Sequence, residues 1–223
     1  MFLRIISLLA LCAIVSSSTS TSDPVCTNAN RDVDGIAGST NAEVANYHHE
    51  WAIVSGFKAD VHLTIFGFIS LPLTVSLSAY NGMLQSLNSI SRSGDFLECQ
   101  HVDGNTLEGV LKYDRLTPTY DQMTVKFLNW EIEGQFIYEV EPSFNVYLVN
   151  GTSGCGVETF DLASSDKVNY RFVADSWKGD FLNTILHYAL TYADSTPLLS
   201  ITTDACHDIV TQFFAQIWCR TFE

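Results

Sequence analysis

The chain has 223 residues, with 11 lysines and arginines against 25 aspartates and glutamates, and a net charge of −14 at pH 7. A field of that sign repels phosphate backbones and anionic lipid surfaces, so it argues against nucleic acid as a partner. Hydrophobic residues make up 47% of the chain and charged ones only 16%, a surplus that reads either as a large packed core or as the lining of an apolar ligand cavity.

Met1 to Arg4 form a short basic start, Ile5 to Val15 an apolar stretch, and Ser16 to Ser22 a zone of small residues. That order is the pattern of a cleaved export signal. The apolar stretch is too short to span a bilayer, and no later run is long and uncharged enough to do so. The expected organisation is a signal peptide at 1–20, a flexible leader at 21–39, polar and glycine-bearing, and one domain at 40–223, secreted and without integral membrane association. Loss of the signal removes Arg4 and Cys12, which leaves 10 basic against 25 acidic side chains, a net of −15.

Cys26, Cys99, Cys155, Cys206 and Cys219 then remain. In an oxidising compartment five thiols allow up to two disulfides and one thiol that is free or links a dimer. Cys206 and Cys219 fall in one helical segment, about 20 Å apart along its axis, too far to pair. Cys99 and Cys155 both lie in strand-like runs and are the expected pair. Asn150-Gly151-Thr152 is an N-glycosylation sequon in a glycine-rich turn.

Thr40-Asn41-Ala42-Glu43 has the form of a capping box. Beyond it, Val44, Trp51 and Ile65 share one phase of a seven-residue repeat, and Tyr47, Val54, Val61 and Phe68 share another. The spacing predicts an amphipathic helix of about 28 residues, on the order of 40 Å long. From Leu71 the pattern turns to alternation, with Leu71, Leu73, Val75, Leu77 and Ala79 apolar between small polar residues. Val102-Asp103-Gly104-Asn105 is a hairpin signal. The apolar phase slips between Phe127 and Leu128, which reads as a β-bulge inside one strand. Phe136, Tyr138, Val140, Phe144, Val146 and Leu148 keep one phase around Pro142, a residue suited to a bend or an edge. Phe181, Leu182, Ile185, Leu186, Ala189 and Leu190 return to helical spacing, and so do Ile209, Val210, Phe213, Phe214, Ile217 and Trp218. The expected fold is α+β, a long curved antiparallel sheet wrapped around N-terminal and C-terminal amphipathic helices.

Motifs for chemistry fail on spacing. His48-His49-Glu50 lacks a second histidine four residues on and does not converge on a metal ion. Gly151-Thr152-Ser153-Gly154-Cys155-Gly156 is neither a hydrolase elbow nor a phosphate loop, and reads as a turn. Glu131, Glu133, Glu139 and Glu141 alternate with apolar residues as a solvated strand face does. The reading is a protein that is not an enzyme and needs no cofactor.

The element order resembles that of the tubular lipid-binding (TULIP) superfamily, whose single-domain arthropod members include the mite group-seven allergens and, more distantly, the juvenile-hormone-binding and takeout proteins. The resemblance rests most on residues 71–127. There an alternating strand and a leucine-bearing link end in Ser93-Gly94-Asp95, followed by a strand, a Gly-Asn turn and Leu107-Glu108-Gly109-Val110-Leu111. Only Cys26 precedes the helix, so the N-terminal cysteine pair of the hormone carriers is missing and a hormone ligand is not carried over. The resemblance implies a BPI-like roll with an apolar tunnel for a lipid-like molecule. The absence of a basic cluster points to a neutral or weakly polar one, such as a fatty acid or terpenoid.

On this reading Val54, Val61, Ile65 and Phe68 form one wall of the site. Leu73, Val75, Leu77, Phe136 and Tyr138 form another, and Phe213 and Ile217 close an end. The alternative is a secreted protein with a filled core that acts through its surface in an immune or effector role; a hydrolase would need a nucleophile and base that the sequence does not offer.

Overall fold

Alternation builds the centre of the fold. Strand β10 (Trp130–Gly151) runs 22 residues without a break, roughly 70 Å at the rise of an extended chain. Every second residue from Phe136 to Leu148, Pro142 included, is buried, and the residues between them are exposed or half-exposed. The computed structural model describes residues 24–222 except 48, 66–68, 175–179, 185 and 187–195, with the side chains at 61, 63–65, 69–73, 166–168 and 196–199 also outside the description. Strand accounts for 56% of the structure, in one open antiparallel sheet of eleven strands among the described residues.

The sheet divides at β10. Its first half pairs with β9 (Thr117–Phe127), which continues to β4 (Ile69–Ala79) and β3 (Phe57–Ile65). Beside these, β9 also holds β5 (Gly82–Gln85), and β5 holds β2 (Trp51–Val54). From Ser143 onward β10 pairs instead with β8 (Gly104–Tyr113), which carries β6 (Ile90–Arg92), β7 (Leu97–His101) and then β1 (Val25–Asn28). Pro142 sits in the gap where one neighbour is exchanged for the other, flanked by register shifts against β11 (Gly154–Val173). A residue without an N–H is tolerated at such a bend.

The expected hairpin forms, with Val102 and Asp103 as its two turn residues and Gly104, at φ +148°, already in β8 opposite His101. Gly109 leaves space on the buried face of β8, where a Cβ would come within 2.5 Å of the Phe96 ring. The expected bulge at Phe127 and Leu128 is instead a second tight hairpin: Trp130 pairs with Phe127, and Leu128, at φ +55°, makes the turn with Asn129. A phase slip is produced by a two-residue reversal as readily as by an extra residue in one strand, and the periodicity does not separate them.

The largest correction concerns the first helix. Helix α1 spans Asn30–Asn46: its part up to residue 39 falls where a loose leader was expected, its part from Thr40 lies within the expected helix, and the residues from Trp51 on are strands. Val33, Ile36, Ala37, Thr40 and Val44 form its buried stripe. Gly35, Gly38 and the polar residues between dilute that signal in the sequence. Thr40 is not a cap; its hydroxyl donates to the Ile36 carbonyl at 2.9 Å, inside the helix. The seven-residue repeat taken for a helix joins residues of separate elements, α1, β2 and β3, and over 57–65 the plain alternation of Phe57, Ala59, Val61, Leu63 and Ile65 is the strand pattern. Asp60 faces Ser76 and His62 faces Thr74 across β3 and β4, with side-chain hydrogen bonds of 2.5 and 3.1 Å.

The C-terminal helix does form. Helix α2 (Thr196–Ile209) passes through a π-helical turn (Val210–Phe214) into α3 (Ala215–Arg220). Ile209, Val210, Phe214 and Trp218 join one hydrophobic cluster with the stripe of α1 and with Leu107, Leu111, Phe144, Val146 and Leu148 of the sheet. A helical segment at 180–184 precedes α2, with Leu182 and Leu186 buried; Ile185, Ala189 and Leu190, expected on the same stripe, lie outside the described residues.

Cys99 and Cys155 are both disulfide-bonded, but not to each other. Cys26–Cys99 bridges paired positions of β1 and β7, and Cys155–Cys219 ties the start of β11 to α3. Cys206 is buried and free, so the odd thiol is not at the surface. The pairing partner of Cys99 was hidden because Cys26 reads as a residue of an unstructured leader.

Two asparagines act as substitute strand residues. Asn41 of α1 accepts from the Ile90 N–H at 3.0 Å and donates to the Ile90 carbonyl at 2.8 Å. Asn183 does the same to Phe172 of β11, at 2.6 and 2.5 Å. Each amide satisfies a half-buried backbone pair that no neighbouring strand reaches. Asn41→Ala and Asn183→Ala are each expected to lower unfolding stability by about 2 kcal/mol, because two backbone groups lose their partners. Urea titration checks the magnitude, and amide exchange at Ile90 and Phe172 should accelerate selectively.

Candidate functional site

The residues expected to line a ligand site come together in part. Val54, Val75, Leu77, Phe136 and Tyr138 are buried in the main hydrophobic cluster, and Phe213 and Ile217 pack against it half-buried. Phe68 lies outside the described residues. Val61, Ile65 and Leu73 sit in β3 and β4, with side chains outside the description.

The interior set belongs to an aromatic row on the buried face. Phe57 meets Tyr120 edge-on at 5.3 Å and Phe136 at 6.5 Å; Tyr170 then stacks on Phe136 at 6.3 Å and on Tyr138 at 5.2 Å. The Tyr120 hydroxyl donates to the Ser55 carbonyl at 3.3 Å, whereas the Tyr138 hydroxyl is buried with no hydrogen-bond partner. Burial pushes the phenol pKa values of Tyr120 and Tyr170 up to about 12. That of Tyr138 is raised further, by burial and then by the neighbouring Tyr170.

A cleft lies elsewhere, where α1 meets α3. It encloses about 620 Å³ and is lined by Val33, Ile36, Leu107, Ile217, Trp218 and Phe222, with Arg31, Asp32, Ser39, Glu98 and Thr221 also on its walls. Val33, Leu107 and Trp218 are buried, whereas Arg31, Asp32 and Ser39 are exposed. The result is an apolar floor under a polar rim. Both walls are fixed covalently: Glu98 precedes Cys99 of one disulfide and Trp218 precedes Cys219 of the other. Phe222 stands edge-on to Trp218 at 5.2 Å.

Of the expected set, Ile217 lines this cleft, and Phe213 lies one helical turn before it. The α1 contributors were missed because 21–39 read as a leader, although the spacing of Val33, Ile36, Ala37, Thr40 and Val44 carried the helical signal. Trp218 and Leu107 were visible only as core residues of their own elements. Nothing local says that the two meet.

The residues singled out for chemistry stay apart. His48 lies outside the described residues; His49 is exposed, with its ring 5.8 Å from that of Phe213. Thr152 and Ser153 make the turn between β10 and β11. Glu131 is exposed and pairs with Lys126 at 3.0 Å. The Cys206 thiol is fully buried and its pKa is pushed well up by that burial, against the hydrogen-bonding influence of Tyr113; it stays protonated and is no nucleophile. Asn150 is half-exposed in the last turns of β10, paired with Asn105 on one side and Cys155 on the other.

No protein-family model matches the chain, and no curated protein matches it.

The raised phenols set the response to alkali. Their folded pKa values lie above the unfolded value of about 10, so the neutral form is the one the fold favours. Their contribution is complete below pH 10 and is lost as pH climbs from 10 to about 12. Absorbance at 295 nm should show Tyr120 and Tyr170 titrating late, with unfolding that sharpens above pH 10. Tyr138→Phe removes an unpaired buried hydroxyl and is expected to raise unfolding stability by about 1 kcal/mol in denaturant titration.

Proposed function

We propose that the protein is an extracellular, non-enzymatic binder of a small hydrophobic molecule with one weakly polar end, held in the cleft between α1 and α3. One observation carries the reading: a cleft of about 620 Å³ with an apolar floor and a polar rim, its two walls each anchored by a disulfide. The volume falls within the roughly 300–1,000 Å³ of small-molecule sites, which are mostly apolar with a few polar groups that orient the ligand.

The apolar body would lie on Ile36, Leu107, Ile217 and Trp218, and would gain about 25 cal/mol for each Å² removed from water. The polar end would meet the Ser39 and Thr221 hydroxyls at the rim. Arg31, which forms no ion pair among the described residues, would accommodate a carboxylate. Walls that do not have to be ordered on binding cost the ligand less affinity. The interior row from Val75 and Leu77 to Phe136 and Tyr138 would serve as packed support, its rings stacked on one another.

Several features support a carrier outside the cell: the export-signal pattern at the N-terminus, two intramolecular disulfides, and an order of helix, long strands and C-terminal helices in keeping with the tubular lipid-binding expectation. Among the described residues, no helix is long and apolar enough to cross a membrane. Glycosylation at Asn150 belongs to the same proposal, and a mass loss on treatment of the secreted protein with an N-glycosidase would report it.

Ser39→Trp tests the site. Ser39 is exposed, so the indole fills the cleft without disturbing the core. The variant should keep the parent's melting temperature and lose at least about tenfold in affinity for a fluorescent fatty-acid probe, a difference of about 1.4 kcal/mol. Native mass spectrometry of detergent-free protein before and after organic extraction gives the second readout. An apo mass together with undiminished probe binding by Ser39→Trp would remove the cleft from consideration.

A further inference from the structure

A second groove lies between strand β2 and helix α2, and it shares no lining residue with the cleft described above. Among the described strands β2 pairs only with β5, so its other edge faces the helix across the groove. The space is about 320 Å³. Its floor is apolar, built from Ala52, Val54, Leu87, Ala205 and Ile209, of which Val54, Leu87 and Ile209 are buried. Its mouth is marked by two large side chains that the fold leaves in water, Trp51 at 45% exposure and Ile53 at 74%. The π-helical turn that follows Ile209 carries Phe213 against Tyr47 and His49, with ring centroids 6.4 and 5.8 Å apart, at one end of the groove.

The charge in this groove is of one sign. Asp204 and Asp208 both line it, one turn apart on α2, where like charges repel. Among the described residues no lysine or arginine lines it, and His49 is the remaining titratable group on its walls. Asp204 forms no ion pair among the described residues, and Asp208 has only the adjacent His207 at 4.0 Å. A protein with a net charge of −14 has placed two carboxylates beside an exposed indole and an apolar floor, with no lysine or arginine among the described residues that line them.

We infer that this groove binds a small organic cation, a protonated amine on an aromatic or aliphatic body. The ammonium group takes the position between the Asp204 and Asp208 carboxylates and the Trp51 ring, where ion pairing and the negative face of the indole both attract it. The body covers Ala52, Val54, Leu87 and Ile209. Charge complementarity selects the occupant: an apolar molecule alone would leave both carboxylates unanswered, and an anion would be repelled. The inference does not rest on the cleft between α1 and α3, and the ligand proposed there has the opposite or no charge.

The test uses the full secreted chain and phenethylamine as the probe, with 2-phenylethanol as a neutral counterpart of similar shape, titrated by calorimetry at pH 7. The amine should bind saturably and the alcohol at least about fivefold more weakly, with the difference shrinking as salt is raised. Asp204→Asn and Asp208→Asn should each weaken the amine severalfold and leave the alcohol unchanged, and Trp51→Leu should weaken both. The two asparagine variants relieve a repulsion, so their melting temperatures without ligand should be equal to the parent's or higher. Loss of amine affinity then cannot be traced to misfolding. Equal affinity for amine and alcohol, unchanged binding by both asparagine variants, or binding only of a lysine-bearing peptide would each overturn the proposal.

Discussion

One buried row, from Phe136 to Leu148 along β10, is the surface on which the rest of the structure is assembled. A strand that long exposes backbone groups on both edges, and each must be paired or covered. The fold meets that demand by giving β10 three neighbours: β11 along one edge, and β9 then β8 along the other. Pro142 falls where the second edge changes partner. The exchange splits the sheet into two wings: α1 packs on β6 beside β8 and α3 on the start of β11, whereas α2 lies against β2 and β3 of the other wing.

Where strands run out, side chains and covalent bonds take over. The amides of Asn41 and Asn183 complete the backbone pairing of Ile90 and Phe172. Arg92 holds Asp34 of α1 at 3.0 Å, an exposed pair of small energetic weight that sits at the same seam. The two disulfides fasten the elements that flank α1 and α3. The cleft between those helices is thus a consequence of how chain ends are secured: β1 leads directly into α1, and α3 is bonded back to the start of β11.

The two concave regions differ in chemistry because they border different surfaces. The cleft between α1 and α3 is floored by core residues of both helices and rimmed by charges of both signs, Arg31 with Asp32 and Glu98. The groove beside β2 is bordered by an edge strand and by a helix face that carries only acid. A strongly acidic chain acquires specificity from such local differences, since its overall field attracts cations everywhere and distinguishes none.

Much of this was legible from the residues alone. Alternation located β4, β8 and the Phe136–Leu148 stretch of β10 with their described apolar positions buried, because a strand's period of two is local and is reinforced at every pair of residues. The hairpin turn at Val102-Asp103 and the inability of Cys206 to reach Cys219 were legible for the same reason. Outside 40–46, the described residues from 24 to 65 were misread: the polar leader hid the first turns of α1, and a seven-residue spacing proper to a helix joined apolar residues of β2 and β3, which are strand. What separates the two is whether neighbouring strands exist to accept the hydrogen bonds, which is decided far away in the chain. The disulfide partners, the asparagine clamps and the joining of Ile36 with Trp218 also join residues more than about 45 positions apart in most cases. The sequence by itself determined which residues would be inside and in what phase. Only the tertiary structure decided which of them meet, because closing a loop of that length is favoured by the sum of all contacts it completes and by none of them singly.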